Sequence, residues 1–494
     1  MHTVNLLSLK DVLSTDDEII NVFLSVNNIK LKPHENSCIL AVVNNLLENN
    51  ITGPKASGYY INVQCNNLLQ EEFDILRFGQ ESILNIEVKS SMPTKGIIYQ
   101  MQRHKYLLST LGKEVYCYTY IEEEDTLYQY NDSEISTVSF SELSSVIEDD
   151  YIDKNELDNI DTSTILVSPY SQPDKFTSHR YFLTNQQDEF KSIILECNKR
   201  FISISGKAGS GKSLLLFDIA KEMIKKGNSV CIYFCANLPQ YESISEQIGI
   251  PIALIRSFDE EKLNNYDVLI FDEAQRLRKE QFETIVSSFH GSKVIFAVDQ
   301  HQTLHTAEIK LNIEEKTQHL DNAEHFRLSK RIRVNAAIES FAERLLHYNC
   351  PKWNANDYSC IKLTYFTNEQ SMKSYCWEQR RRHKTVIELT PYTTKTTQDE
   401  KMSKHFFCSE DSHSVIGKEY DDVLVVLNEY ITYKTLDNGE IVLDSNYSEF
   451  YPYDVNHCIW EAISRTKKSL EIVIINNREM YNKISGILEK SVHK

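Results

Sequence analysis

Phe201-Ile202-Ser203-Ile204-Ser205-Gly206-Lys207-Ala208-Gly209-Ser210-Gly211-Lys212-Ser213 decides how the rest of the chain is read. A run suited to a buried strand leads straight into the pattern G-x-x-x-x-G-K-S, filled by Gly206, Gly211, Lys212 and Ser213. Glycines at these places let backbone N–H groups close around phosphate oxygens, with Ala208, Gly209 and Ser210 completing the loop. The Lys212 ammonium reaches the outer phosphates and the Ser213 hydroxyl ligates Mg²⁺. The apolar residues 214–220 continue as a helix whose positive N-terminus faces the anion. Strand, loop and helix in this order predict an α/β domain that holds a nucleoside triphosphate.

Three further apolar runs follow at 230–234, 268–271 and 294–298, each ending in polar residues. A carboxylate at the end of a parallel strand beside the phosphate loop sits where Mg²⁺ must be held, which makes Asp272 the expected ligand. Its neighbour Glu273 is the expected base or polariser for an attacking water. Asp299 and Gln302, after the next strand, are placed to sense the γ-phosphate. Upstream, Gln187 follows Phe182-Leu183-Thr184-Asn185-Gln186, and an amide that donates and accepts at once suits the edge of adenine. Polar chemistry gathered at strand ends predicts a parallel sheet with its site at the carboxyl edge. A second set of strands at 385–389, 423–427 and 470–475 has no phosphate loop of its own. Its Arg465 serves a nucleotide only if that nucleotide lies in a cleft between the two blocks.

Composition bounds the remainder. At 494 residues the chain is too long for one core and suggests about three domains, with 41% apolar residues to fill them. Much of the net charge of −18 sits in residues 122–161, where fourteen acids face the single base Lys154. That stretch reads as a solvated surface and connector, so nucleic-acid contact must come from local basic patches: Lys330, Arg331, and Arg380 to Arg382. The 11 cysteines are scattered without a C-x-x-C pair, which fits a reducing, cytoplasmic setting. No apolar run approaches a membrane span and no signal peptide is read, so no membrane partner is expected.

Before the phosphate loop, residues 35–47 carry apolar side chains at helical spacing. Two strands follow at 73–78 and 83–89, joined by a turn around Gly79. In the second strand Leu84, Ile86 and Val88 share one face, so Asn85, Glu87 and Lys89 share the other. Burying such polar groups unpaired costs several kcal/mol, and a metal site supplies the reason for them. Asp74 and Glu87 are the expected ligands of Mg²⁺, or of Mn²⁺ in its place. Lys89 stabilises phosphoryl charge or orients water, and Glu35 is a third carboxylate on the preceding helix.

This segment, about residues 30–150, resembles the PD-(D/E)XK nuclease superfamily, through Asp74 and then Glu87-Val88-Lys89. The resemblance implies that Tyr99-Gln100-Met101-Gln102-Arg103-His104 opens a helix bringing Gln100 near the metal. About residues 182–480 resemble superfamily 1 helicases and the related Schlafen-like ATPases. The motifs are Leu183 to Gln187, Gly206 to Ser213, Asp272 to Gln275, Asp299 with Gln302, Arg333, His413 to Asp421 with Glu419, and Ala462 to Lys467. That likeness implies two RecA-like lobes closing on ATP, Arg333 and Arg465 as arginine fingers, Glu419 at the nucleotide, and single-stranded nucleic acid across both lobes. Val298 and Ile416 depart from the motifs, and each lobe lacks room for the inserted subdomains that helicases use to split duplexes.

The sequence thus predicts an α/β chain of two RecA-like parallel-sheet lobes, 183–335 and 336–494, behind a restriction-endonuclease-like domain at 1–150 and a linker at 151–182. The expected activity is an ATP-dependent DNA nuclease coupled to a helicase or translocase, with a role in antiphage defence or repair by family analogy. DNA stands ahead of RNA as the partner, and a second copy or a defence subunit stays open. The alternatives are an ATP-switched nucleic-acid-binding regulator with an inactive nuclease-like domain, and an RNA-directed nuclease.

Overall fold

The computed structural model describes the chain apart from residues 1, 32, 66–70, 93–95, 133, 161–166, 330–334, 350–356, 393–404, 407, 448–450 and 490–494, and the side chains of 33 and 34. It divides into two compact units, Met1–Ile165 and Leu166–Lys494.

The first unit is built on a six-stranded sheet in chain order: β1 (Tyr59–Gln64), β2 (Glu72–Phe78), β3 (Ser82–Lys89), β4 (Glu114–Ile121), β5 (Thr126–Asn131) and β6 (Glu134–Val138). Neighbours are antiparallel except β3 and β4, which run parallel because helix Ile97–Ser109 carries the chain back between them. The expected helix spans Pro33–Glu48, and its Ile39, Val42, Val43 and Leu46 are buried with Ile61, Ile75 and Ile86. In β3 the alternation holds, yet residues 83–87 are all buried. Helix Ile97–Ser109 accounts for this on the polar face, where its buried His104 meets Asn85.

The acidic stretch is not a mere connector. It supplies β5, β6 and helix Phe140–Ser145, and its Leu127, Tyr130, Leu143 and Ile147 are buried. Many of its acids lie in turns and caps: Glu148 accepts N–H bonds from Gln80, Glu81 and Ser82, fixing the turn between β2 and β3. The density of charge hid strands whose apolar positions are few but well spaced.

The second unit contains two parallel sheets. The first joins β7 (Phe201–Gly206), β8 (Val230–Phe234), β9 (Ile252–Leu254), β10 (Val268–Asp272), β11 (Lys293–Val298) and β12 (Ala323–Leu328), in the order β12-β7-β11-β10-β8-β9. The second joins β13 (Ile361–Phe366), β14 (Thr385–Glu388), β15 (Glu410–Asp411), β16 (Tyr420–Leu427) and β19 (Thr466–Ile475), in the order β13-β19-β16-β14-β15. Between β16 and β19 lies an antiparallel pair, β17 (Ile431–Thr435) and β18 (Ile441–Ser445). β8, β10 and β11 are buried at every position, as strands covered on both faces require.

Residues 167–183 pack into the second unit. Val167, Tyr170, Phe176, Tyr181 and Leu183 enter the same apolar core as Phe217 and Phe234. Among the described residues no helix is long and apolar enough to cross a membrane, and the cysteines are free.

Candidate nucleotide site and candidate metal site

β7 ends at Gly206, and helix Lys212–Lys225 starts on the far side of the loop. The Lys212 side chain is buried; its Nζ donates to the Gly206 carbonyl at 2.5 Å and lies 3.7 Å from Asp299 Oδ2. Burial pushes the Asp299 carboxyl up against the pull of Lys212, and its Oδ2 accepts no hydrogen bond. Gly211 has φ +81°, and a Cβ there would meet Gln187 Nε2 at 2.3 Å, so both the backbone and the space demand glycine.

Gln187 is engaged within the chain at both ends of its amide. The helix Asn185–Glu196 opens with a capping box in which Gln187 Oε1 accepts from Thr184 N at 2.8 Å. Its Nε2 donates to the carbonyls of Ser210 and Gly211 at 3.1 and 3.2 Å. Fully buried, the amide spends both ends on bracing the phosphate loop instead of offering an edge to a base.

β10 delivers Asp272 beside the loop. Burial and the neighbouring Glu273 push its carboxyl up to about 6, opposed by hydrogen bonds from Ser213 and Tyr170. Ser213 and Asp272, two hard oxygen ligands in contact, fit Mg²⁺ bound together with phosphate. The Tyr170 hydroxyl reaches Asp272 Oδ2 at 2.9 Å from the segment before the lobe, a partner that no sequence pattern announced. Glu273 takes a left-handed backbone, φ +57°, uncommon for such a residue and typical of functional sites. Burial pushes its carboxyl up, but Arg276, Lys212 and Arg465 outweigh this and hold it ionised. Gln275 Nε2 donates to Glu273 at 2.6 Å while its Oε1 accepts from Asp299 N, tying the ends of β10 and β11 together. Arg276, also unforeseen, is buried and donates to the Gln302 carbonyl at 2.9 Å.

Arg465, at the end of helix Val455–Ser464, is 7% exposed. Burial disfavours its charge, but Glu461 and then Glu273 outweigh that penalty. Glu419 is among the acids that hold Arg465 charged, and its Oε2 pairs with Lys467 at 3.2 Å. Gln302 Nε2 donates to Glu461 Oε2 at 2.8 Å. Lys212, Ser213, Asp272, Glu273, Asp299, Gln302, Glu419 and Arg465 therefore belong to one connected neighbourhood, joined by these contacts. Arg333, Lys330 and Arg331 lie outside the described residues. Arg380 donates to the Cys408 carbonyl and Arg382 pairs with Glu378, so part of that basic run is spent locally.

Residues 199–415 match a family model described as Schlafen group 3, DNA/RNA helicase domain. The second unit carries a helicase-like ATPase domain. No curated protein matches the chain. Among solved structures, the Pif1 helicase from Candida albicans is similar at 12% identity and TM-score 0.34, over 62% of this chain and 98% of its own. An arterivirus nonstructural protein 10 helicase, solved with DNA, is similar at 14% identity and TM-score 0.33, over 62% of this chain and 65% of its own. Pif1 from a Bacteroides species is similar at 12% identity and TM-score 0.31, over 61% and 94%.

A second site lies outside the matched helicase domain, in the first unit. β2 and β3 bring Asp74, Glu87 and Lys89 together: Lys89 Nζ is 3.9 Å from Asp74 Oδ2 and 3.4 Å from Glu87 Oε2. Gln100 Nε2 donates to Glu87 Oε2 at 2.8 Å, and Val88 N donates to Asp74 Oδ2 at 2.8 Å. Burial and the adjacent Glu87 push Asp74 up to about 7, while Lys89 and the Val88 N–H pull the other way. Burial would also raise Glu87, but His104 and Lys89 overcome it. His104, held between Glu87 and Glu71 at 3.2 and 3.3 Å, is driven up to about 9 by those carboxylates despite its burial. Two carboxylates that cannot both ionise cheaply fit a divalent cation, which they would hold through their oxygens. Glu35 stands in the first turn of its helix, and among the described residues no three His, Cys, Asp or Glu side chains group to hold a metal.

Proposed function

We propose that the chain is an ATP-driven nucleic-acid-processing enzyme of superfamily 1 type, with a metal-dependent DNA nuclease as its N-terminal unit. The observation that carries the nuclease half is the convergence of Asp74, Glu87, Lys89 and Gln100 on one patch of a mixed sheet. The motor half rests on the matched helicase domain and on two parallel sheets, whose first strand order suits a RecA-like lobe.

In the motor, the loop 206–211 and Lys212 would hold the triphosphate, and Ser213 and Asp272 would hold Mg²⁺, which would neutralise charge on the outer phosphates. Glu273, kept ionised by three cations, accepts the proton of the attacking water. Arg465 answers to the γ-phosphate from the second lobe, and Gln302, whose amide is bonded to Glu461, acts on it through that carboxylate. In the nuclease, Asp74 and Glu87 would hold Mg²⁺ or Mn²⁺, which would supply Lewis-acid activation of the phosphodiester and of water. Gln100 fixes the Glu87 carboxylate, and the Lys89 ammonium faces the charge that develops on phosphate.

The test follows phosphate release and fragment lengths on single-stranded, duplex and tailed DNA, with and without ATP and metal. Lys212→Ala should abolish ATP hydrolysis, whereas Lys89→Ala should end cleavage and leave hydrolysis intact. Absence of cleavage products with both Mg²⁺ and Mn²⁺ would favour an ATP-switched binder. Cleavage of RNA in preference to DNA would change the substrate and keep the chemistry.

A further inference from the structure

The two lobes meet along a seam next to the nucleotide site. Thr306 N donates to the Pro452 carbonyl at 2.9 Å, and Asp454 N donates to the Leu304 carbonyl at 2.8 Å. His457 Nδ1 lies 2.6 Å from the Thr303 carbonyl. One residue before this stitched stretch is Gln302, and one helical turn after His457 is Glu461, wholly buried. Glu461 Oε2 accepts from Gln302 across the seam, while its Oε1 accepts from Arg465 Nε at 3.1 Å and from Arg465 Nη2. On the other side, the Gln302 carbonyl is held by Arg276, whose Nε is 4.0 Å from Glu273. A continuous polar chain therefore runs Glu273, Arg276, Gln302, Glu461, Arg465.

An i,i+4 ion pair on a helix surface would be worth little. Here both partners are buried, and the carboxylate accepts a hydrogen bond from the opposite lobe, so its placement is fixed by both lobes at once. We propose that Glu461 is a positioning residue for ATP hydrolysis: it aims the Arg465 guanidinium at the pocket of Glu273 and ties that aim to Gln302. The second lobe can then shift only if the arginine shifts with it. This rests on the reading of the second unit as an ATPase.

The experiment uses the full chain with saturating single-stranded DNA and compares wild type, Glu461→Gln, Gln302→Ala, the double variant and Lys212→Ala. Steady-state hydrolysis gives kcat and KM, a fluorescent ATP analogue gives nucleotide affinity, and melting reports the fold. Glu461→Gln keeps the volume and an acceptor oxygen but not the charge. It should lower the melting temperature, as loss of one partner of a buried pair does, yet stay folded at the assay temperature and keep nucleotide affinity while kcat falls by about tenfold to a hundredfold, the cost of misaiming a reacting group. The double variant should lose no more than its worse single, because both act through one carboxylate. Wild-type kcat in Glu461→Gln, or losses that multiply in the double variant, would overturn the proposal. A drop confined to melting and nucleotide affinity would assign Glu461 to packing and overturn it too. Wild type no faster than Lys212→Ala would instead remove the ATPase reading itself, and this inference with it.

Discussion

Replacing Asp74 by Asn tests the metal site of the first unit without relying on cleavage. Burial and Glu87 raise the Asp74 carboxyl from the ordinary 3.8 to about 7. At about 1.4 kcal/mol per pH unit, keeping it ionised without a cation costs the fold up to about 4 kcal/mol. The sign follows from the raised value. The folded unit holds the proton more tightly than the unfolded chain, so this contribution is complete below pH 3.8 and is lost as pH rises through about 7. Glu87, held below its ordinary value, works in the opposite sense, but that contribution is already established above the ordinary Glu range. Metal-free protein should therefore lose protection in β2 and β3 between pH 5 and pH 8, read by hydrogen exchange of the intact chain, and Mg²⁺ at pH 8 should restore it. Asp74→Asn should remove the loss that falls below about pH 7, keep the part due to His104, whose value is raised from 6.5 to about 9, exceed wild type in stability at pH 8 without metal, and lose most of the response to Mg²⁺. Identical pH and metal responses in the two proteins would refute the reasoning, since the strained carboxylate pair would then not exist.

Tyr170→Phe removes a hydrogen bond that lowers the Asp272 carboxyl, so the acid limb of the ATPase pH–rate profile should move to higher pH; an unmoved limb would leave Tyr170 only its packing against Phe217 and Phe234. Gly211→Ala forces a left-handed alanine, at about 1 to 2 kcal/mol, and drives a methyl into the Gln187 amide. Nucleotide affinity measured by titration should drop about tenfold or more. Arg276→Met leaves Glu273 and Glu308 without a cation that is 5% exposed, and should destabilise the second unit by about 3 to 5 kcal/mol in melting experiments.

Much of the nucleotide site was legible because its chemistry is local. A phosphate loop must place glycines, lysine and serine at fixed spacing, so residues 206–213 could be read one by one. Strand ends carrying Asp272 and Asp299 stood out because covered parallel strands are continuous apolar runs that stop at polar residues. Glu87 and Lys89 were visible through the period of two along β3, and Asp74 as the acid on the strand before it. The sequence could not disclose which amide faces what: Gln187 turns inward because the capping box and two loop carbonyls claim it. Nor could it group Glu35 with or apart from Asp74, a question of how one helix packs on the sheet.

Residue identity and spacing by themselves determined that this chain carries the pattern of a phosphate loop, strand-end carboxylates and an alternating polar face near its start. Only the tertiary structure decided that Tyr170 reaches Asp272, that Arg276 underlies Gln302, and that Glu461 joins Gln302 to Arg465. Those pairs are separated by 102, 26 and 159 residues in the first three cases. No periodicity spans such distances; what brings the groups together is the closing of apolar sheets and helices around one core, which then obliges each buried charge to find the partner that folding has placed beside it.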